Sequence, residues 1–404
     1  MDRSTLPIAV DAMGGDNAPR EIVRGALLGA ARLGVAVVLV GQRDVVEREL
    51  AAAVADPGLG GGARSRAASA SSSASAPGSA SAGESTSASA SPPTLAEARA
   101  RVSVVDAAEV IGMDEHPAAA VRAKKGASVV VACELVASGR ARAVVSAGNS
   151  GAVLAAALFH VKRLRGVARP AIGTSLPRSD GGSTFLVDVG ANADCRPEWL
   201  AQFGVMGSVY AMSMLGVEAP RVGLLSNGEE PGKGSALVQA ASPLLAAAPL
   251  RFVGNVEGKD LFRDACDVAV TDGFTGNVAL KTAEGVGEFL LGAISAEARK
   301  SLLGMIGGAL LKPRLRPIRD RVDYRATGGA LMLGVDGEVV IAHGRSDAEA
   351  IVSALRVAHT AAERDVHTLI GRAIAAALDS AEDGAALGAA TEAGQHTHEA
   401  GNRS

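Results

Sequence analysis

Short runs of aliphatic and β-branched residues alternate along this chain with longer Ala-rich stretches whose apolar positions recur at helical spacing. The runs Ile8 to Val10, Val35 to Val40, Val102 to Val105 and Ala143 to Val145 predict strands, as do Thr184 to Val189, Arg221 to Leu225, Arg251 to Val256 and Val268 to Thr271. Helical patterns are predicted over Pro19 to Leu33, Pro117 to Val136 and Ser150 to Leu164. Strands that are apolar throughout, rather than at alternate positions, have both faces covered, and the intervening helices supply the crossovers of a parallel sheet. The expected fold class is therefore α/β, a largely parallel or mixed sheet flanked by helices. No repeat of fixed period is present.

Two stretches depart from the pattern. Residues 57–93 are almost wholly Ser, Ala, Gly and Pro and hold too little apolar surface to offset the entropy of ordering, which predicts a disordered insertion. Residues 381–404 read the same way, with His396 and His398 solvated rather than metal-bound. The remainder of 1–380 is expected to form a single α/β domain. With 2% aromatic residues and a formal net charge of −3, neither base stacking nor electrostatic attraction points to nucleic acid. Cys133, Cys195 and Cys266 are too far apart for a CxxC or zinc pattern and read as structural thiols of a reducing compartment. No apolar run is long enough to span a bilayer and Met1 to Pro7 lacks a signal-peptide pattern, so the expected location is the cytoplasm.

In open α/β sheets, ligands bind beyond the carboxyl ends of the strands. There this chain concentrates Gly, Asn and Asp, in Asp11-Ala12-Met13-Gly14-Gly15-Asp16, Ser146-Ala147-Gly148-Asn149-Ser150 and Asp188-Val189-Gly190-Ala191-Asn192. Ser226-Asn227-Gly228-Glu229-Glu230 and Asp272-Gly273-Phe274-Thr275-Gly276-Asn277 repeat the composition. Glycine permits close backbone approach, and N–H groups at helix starts favour anions. Any one such loop reads as turn and cap chemistry. Five of them at predicted strand ends point to a polar site for an anion or a carbonyl. Stock motifs are incomplete. Gly232-Lys233-Gly234 lacks the Ser/Thr that follows a P-loop lysine, and no GxGxxG follows the first strand, so a nicotinamide cofactor is disfavoured. Ala152 replaces the last glycine of a nucleophile elbow, and Ser150 reads as a helix N-cap instead. His343, in a Gly-flanked loop after the predicted strand at Val339, is a lone histidine of the kind that is more often structural than catalytic.

Taken in order, these loops resemble the phosphate acyltransferases (the PlsX family) of bacterial phospholipid synthesis. The matching segments are Val10 to Asp16, Val145 to Ala152, Asp188 to Cys195, and Asp272 to Val278 followed by Leu280-Lys281-Thr282. The resemblance covers about residues 6–56 and 95–365, and the insertion and tail are its clear departures. It implies a reversible reaction of acyl–acyl carrier protein with inorganic phosphate, giving an acyl phosphate for a membrane glycerol-3-phosphate acyltransferase. It also implies a homodimer with a fold like isopropylmalate dehydrogenase and phosphotransacetylase; no cofactor is expected.

Phosphate is already an anionic nucleophile, so the protein has to position it and stabilise a tetrahedral oxyanion. Lys233 and Lys281 are candidates for balancing phosphate charge, and Asn149, Asn192 and Asn277 for donating to phosphate or carbonyl. His343 or a lysine is the candidate acid for the departing thiolate. Catalytic roles thus fall to Lys281, Asn149 and His343. Binding roles fall to Asp11, Gly14, Gly15, Asp16, Ser146, Gly148, Ser150, Asp188, Asn192, Asn227, Glu229, Lys233, Asp272, Thr275 and Asn277, with no metal. The rivals are a short-chain enzyme using acyl-coenzyme A, a dehydrogenase, and a non-catalytic lipid- or phosphate-binding regulator.

The apolar run Leu302 to Leu311, within 295–322 and surrounded by Arg299, Lys300, Lys312, Arg314 and Arg316, reads either as a core helix or dimer contact or as a projecting helical segment. In the second reading its apolar tip enters an anionic membrane surface.

Overall fold

The computed structural model describes residues 5–59, 94–322 and 328–379. The predicted insertion beyond Leu59 and the predicted tail lie outside the described residues. In chain order the elements are β1 (Ile8–Asp11), α1 (Arg20–Leu33), β2 (Val37–Gly41), α2 (Arg43–Ala55), α3 (Leu95–Arg99), β3 (Val102–Asp106), α4 (Pro117–Ala123), α5 (Ser128–Ala137), β4 (Ala143–Ser146) and α6 (Ser150–Ala156). There follow β5 (Ala171–Pro177), β6 (Ser183–Val187), α7 (Pro197–Tyr210), β7 (Arg221–Leu225), α8 (Ala236–Ala247), β8 (Arg251–Val256), β9 (Val268–Val270) and α9 (Gly273–Ala298). Last come α10 (Leu302–Val322), β10 (Ala330–Leu333), β11 (Glu338–Ile341) and α11 (Ala348–Glu363). Among the described residues these elements form two compact units, the first from 5–59, 94–161, 328–329 and 339–359, the second from 162–322, 330–338 and 360–379.

In the first unit the strand order is β3-β2-β1-β4-β11. β1 runs parallel to β2 and β4, and β2 parallel to β3, so their carboxyl ends share one edge. The end of β11 joins them there, the Ala342 N–H donating to the Ser146 carbonyl at 2.9 Å. Every residue of β1, β2 and β4 is buried, which is why these strands lack alternation. Helix α1 packs against α11 through Gly25 and Gly29. A Cβ at Gly25 would stand 2.5 Å from Ile351 Cβ and 2.7 Å from the Ala348 carbonyl. Arg32 and Glu349 tie the same two helices with paired bonds of 2.7 and 2.9 Å.

In the second unit the order is β10-β5-β6-β9-β7-β8. β6, β9, β7 and β8 are parallel, whereas β5 is antiparallel to both β6 and β10, so this half is mixed. The Phe185 ring stacks on Tyr210 with centroids 3.8 Å apart and fills the space a side chain at Gly173 would need. At the amino ends of these strands Arg178 and Arg221 each reach Asp267 at 3.0 Å. Against the cost of burial, their hydrogen bonds hold its carboxyl down at about 2.

Three predicted elements change. The helix expected over 117–136 is two, because Gly126 turns the chain and donates its N–H to Glu109, while the Lys124 ammonium binds Glu115 and the Val110 carbonyl. The helix expected from Ser150 widens into a π-helical turn over Ala157–Val161 and stops at Lys162, whose φ is 71°. The strand expected to reach Val189 ends at Val187; the Asp188 and Val189 N–H groups still donate to the Thr271 and Ile172 carbonyls, and the Asp188 carboxylate collects the N–H groups of residues 190–192. At the insertion boundary, residues 57–59 belong to the described structure and Leu59 is buried.

Within α9 only Gly273 and Gly276 are buried; beyond its first turn and along α10 large apolar side chains are exposed, Phe289 at 70% and Leu303 at 83%. Among the described residues no helix is long and apolar enough to cross a membrane.

The two kinds of helical glycine predict opposite responses to alanine. At Gly25 overpacking costs about 1–3 kcal/mol and outweighs a helix-propensity gain of about 1 kcal/mol, so Gly25→Ala should lower stability. Gly285 and Gly292 in α9 have nothing within 4 Å of a new Cβ, so alanine there should raise it by about 0.5–1 kcal/mol. Urea unfolding of the three variants checks this, and an unimpaired Gly25→Ala would contradict the close packing of α1 on α11.

Candidate active site

The loop after β1 begins at a buried carboxylate. Asp11 accepts from the Ser146 hydroxyl at 2.7 Å and the Met13 N–H at 3.3 Å, with further bonds from Ser128 and the Gly14 N–H. Burial dominates its titration and pushes its carboxyl above the ordinary value. Ser146 in turn accepts from the Gly148 N–H at 3.1 Å, so one chain of polar contacts joins the ends of β1 and β4. A Cβ at Gly14 would stand 2.4 Å from the Asp11 carboxylate and 2.8 Å from the Gly148 nitrogen, which leaves room only for glycine. Gly15, at φ 108°, lies against the Ala147 and Gly344 carbonyls, and the Asp16 N–H donates to Gly344 at 2.8 Å. The structure thus gathers Asp11, Gly14, Gly15, Asp16, Ser146, Gly148 and the His343–Gly344 turn. His343 Nδ1 accepts from the Arg345 N–H at 3.2 Å, which assigns the proton of its neutral form to Nε2. A cavity of about 10 Å³, the space of one water, lies among Asp11, Gly14, Ser128, Ser146, Gly148 and Asn149.

Asn149, not Ser150, caps α6, its side-chain oxygen accepting from the Ala152 N–H at 3.2 Å. Its amide nitrogen donates to the Met113 and Glu115 carbonyls at 3.1 and 3.3 Å. Both donors predicted for a substrate are therefore used to hold the 113–115 segment. Ser150 is the exposed first residue of the helix.

In the second unit the corresponding feature is Asp188, fully buried after β6. One carboxylate oxygen accepts from the N–H groups of Ile172, Gly190 and Ala191 at 3.0–3.1 Å. The other accepts from the backbone and side-chain nitrogens of Asn192 at 2.8 and 2.9 Å. Burial again outweighs these bonds and raises its pKa. Asn192 also donates to the Pro170 carbonyl at 2.8 Å, so its amide is committed within the protein. The Asn192 carbonyl accepts the Gly273 N–H at 2.7 Å and thereby seats the start of α9. Asp272 caps that helix, accepting from the Thr275 N–H at 2.8 Å and its hydroxyl at 2.7 Å. Asn277 and Lys281 follow on exposed turns, Lys281 pairing with Glu284 at 2.8 Å.

The loop after β7 is stapled by Asn227, which accepts the Gly234 N–H at 2.9 Å, and Lys233 is exposed on it. Glu229 pairs with Lys259 at 3.1 Å. Its carboxylate comes within 4.8 Å of those of Glu257 and Asp260, but the Lys259 ammonium already binds Glu229 and Glu257. Of the acidic residues singled out as binding residues, Asp272 caps a helix, Glu229 is ion-paired, and Asp11 and Asp188 fold their loops; as anions they would repel phosphate. The Cys133 and Cys266 thiols are buried and Cys195 is half-buried, and burial pushes Cys195 and Cys266 up to about 12, which leaves no thiolate at neutral pH. Sequence reading missed Val110, Ile111 and Ser128, which line the cavity from positions without any motif.

A raised carboxylate pKa favours the folded state below the ordinary value of 3.8, and that advantage is lost as pH rises through the folded value. Relative to Asp11→Asn, the wild-type chain should therefore be most stable near pH 4 and lose ground toward pH 8. Urea midpoints of both proteins across that range test this, and a pH-independent difference would show that Asp11 is not held in a raised state.

Comparison with known proteins adds to this geometry. The family model described as "Fatty acid synthesis protein" matches residues 6–57 and 82–369. A phosphate acyltransferase of Pelotomaculum thermopropionicum is 45% identical over 358 residues, covering 89% of this chain and 92% of that protein. One from Gloeobacter violaceus is 44% identical over 364 residues, covering 90% and 95%. Among solved structures, a phosphotransacetylase from Streptococcus pyogenes superposes with a TM-score of 0.54 at 15% identity, covering 89% of this chain and 96% of that one, a likeness of fold. With the motif loops inside the matched residues and alignment over nine-tenths of its length, this chain belongs to the phosphate acyltransferase family.

Proposed function

We propose that this acyltransferase takes a fatty acyl group from the thioester of acyl carrier protein and transfers it to inorganic phosphate. The observation that carries the reading is the alignment of proteins named phosphate acyltransferase over nine-tenths of the chain. A phosphate oxygen attacks the thioester carbonyl carbon, forming a C–O bond and a tetrahedral oxyanion. Collapse breaks the C–S bond, and the proton carried by hydrogen phosphate ends on the thiol, so acyl phosphate and free carrier are the products. No redox step enters. The loops support this chemistry by arriving already folded: Asp11 and Asp188 hold glycine-rich backbone at the strand ends before any substrate binds. Lys281 and Lys233, on exposed turns, are the cations assigned to phosphate, and His343 the group that returns the proton to sulfur. Asn149 and Asn192 act as positioning residues. The test is acyl phosphate formation by purified protein with carrier-protein and coenzyme A thioesters in parallel, with phosphate omitted as control. Lys281→Ala should lower kcat/KM by about 10²-fold while leaving the unfolding midpoint unchanged. Equal turnover of the variant would remove Lys281 from the mechanism, and turnover of coenzyme A thioesters alone would favour the short-chain reading.

The exposed apolar side chains of α9 and α10 support a peripheral membrane contact as part of the same proposal. Leu302, Leu303, Ile306 and Leu310 are exposed, and Arg299, Lys300, Lys312 and Arg314 flank them. Delivery at a bilayer would spare a long acyl chain passage through water and hand the product to a membrane glycerol-3-phosphate acyltransferase. Wild-type protein should co-sediment with anionic vesicles, less so at high salt or after Leu303→Glu. Absence of binding at low salt, or dissociation of a homodimer by Leu303→Glu, would assign this face to subunit contact instead.

A further inference from the structure

A second exposed feature of the second unit is cationic rather than apolar. The Arg169 guanidinium lies 5.0 Å from the centroid of the Trp199 ring, and that of Arg196 lies 5.8 Å from the same centroid. Both arginines are exposed, and Trp199 is half-buried. Among the described residues no carboxylate pairs with either guanidinium, although Asp194 and Glu198 are close in sequence. Lys162, Arg163 and Arg165 are exposed on the segment that leads to Arg169, so positive charge is dense here in a chain whose formal net charge is −3.

This patch is built rather than accidental in its surroundings. The segment carrying Arg169 is pinned to α7, the Ala168 N–H donating to the Gln202 side chain at 2.8 Å and Gln202 donating to the Gly166 carbonyl at 2.9 Å. The next residue, Pro170, accepts from the Asn192 amide at 2.8 Å. Asn192 is in turn held by Asp188 and seats the start of α9. Arg169 is therefore carried beside the loop that Asp188 and Asn192 fold, on the same compact unit. Indole stacking lowers the entropy lost when a guanidinium is immobilised, and guanidinium groups are weakly hydrated. Arginine and tryptophan together are the side chains that dominate binding energy at protein interfaces. A phosphate ion needs neither the ring nor five spread cations; a protein surface rich in carboxylates matches both.

We propose that Arg169 and Arg196, braced on Trp199, are the docking surface for an acidic face of the protein that presents the thioester. This rests on the carrier-protein reading of the donor. The surface acts by steering and holding that partner, so it affects KM and salt dependence rather than the chemical step.

The double variant Arg169→Glu/Arg196→Glu tests the assignment, with Arg251→Glu/Arg263→Glu, two exposed arginines elsewhere on the unit, as a control of equal charge change. Steady-state kinetics with acyl carrier protein and titration with unacylated carrier protein are measured for each. Expected is a loss of about tenfold or more in kcat/KM and in affinity for the first variant, with kcat at saturation retained. The control should stay within about twofold of wild type, and added salt should shrink the gap. Unchanged carrier kinetics in the first variant, an equal loss in the control, or a loss confined to kcat would overturn the proposal. So would loss of anionic-vesicle binding with carrier kinetics intact, which would make the patch a lipid contact. Failure of the donor reading itself would be visible in wild type, as no turnover and no binding of carrier protein, and the proposal falls with it.

Discussion

Two carboxylates that have been taken out of water carry much of this architecture. Asp11 closes β1 and Asp188 closes β6, and each is surrounded by donors from the loop it begins. Burying a carboxylate is unfavourable, and both pKa values are raised because burial outweighs the hydrogen bonds. The arrangement persists because each carboxylate satisfies several loop N–H or O–H groups that would otherwise be orphaned. Removing it would leave those donors unpaired as well as relieve the burial.

Glycine and carboxylate are coupled in both loops. A Cβ at Gly14 would stand 2.4 Å from the Asp11 carboxylate, and one at Gly273 2.9 Å from that of Asp188. Backbone can therefore approach closely at the strand ends. The same logic explains why the amides of Asn149 and Asn192 are spent on carbonyls of the protein. They set the shape of the loops at the strand ends. Lys233 and Lys281 stand on exposed turns, and the cation-bearing surface around Trp199 is tied to the Asp188 loop through Pro170 and Asn192.

The alternation of apolar strands and helical stretches was legible because fully buried strands cannot alternate, and β1, β2 and β4 are buried at every position. The motif loops were legible because five of them recur at predicted strand ends, although any one alone reads as turn and cap chemistry. The break at Gly126 was not, since it is closed by Glu109, 17 residues away, and the turn after β6 was not, since it folds around the Asp188 carboxylate.

Composition and order alone determined the α/β class, the five polar loops and the family, because these follow from local periodicity and contiguous motifs. What only the tertiary structure decided is which polar atoms are already engaged. Asn149 reads in sequence as a free donor beside a glycine, yet its nitrogen is bound to two carbonyls 34 and 36 residues away. Asp11 reads as a ligand, yet it is buried against Ser146, 135 residues distant. A hydrogen bond forms between atoms close in space, and no one-dimensional pattern carries the distance that decides it.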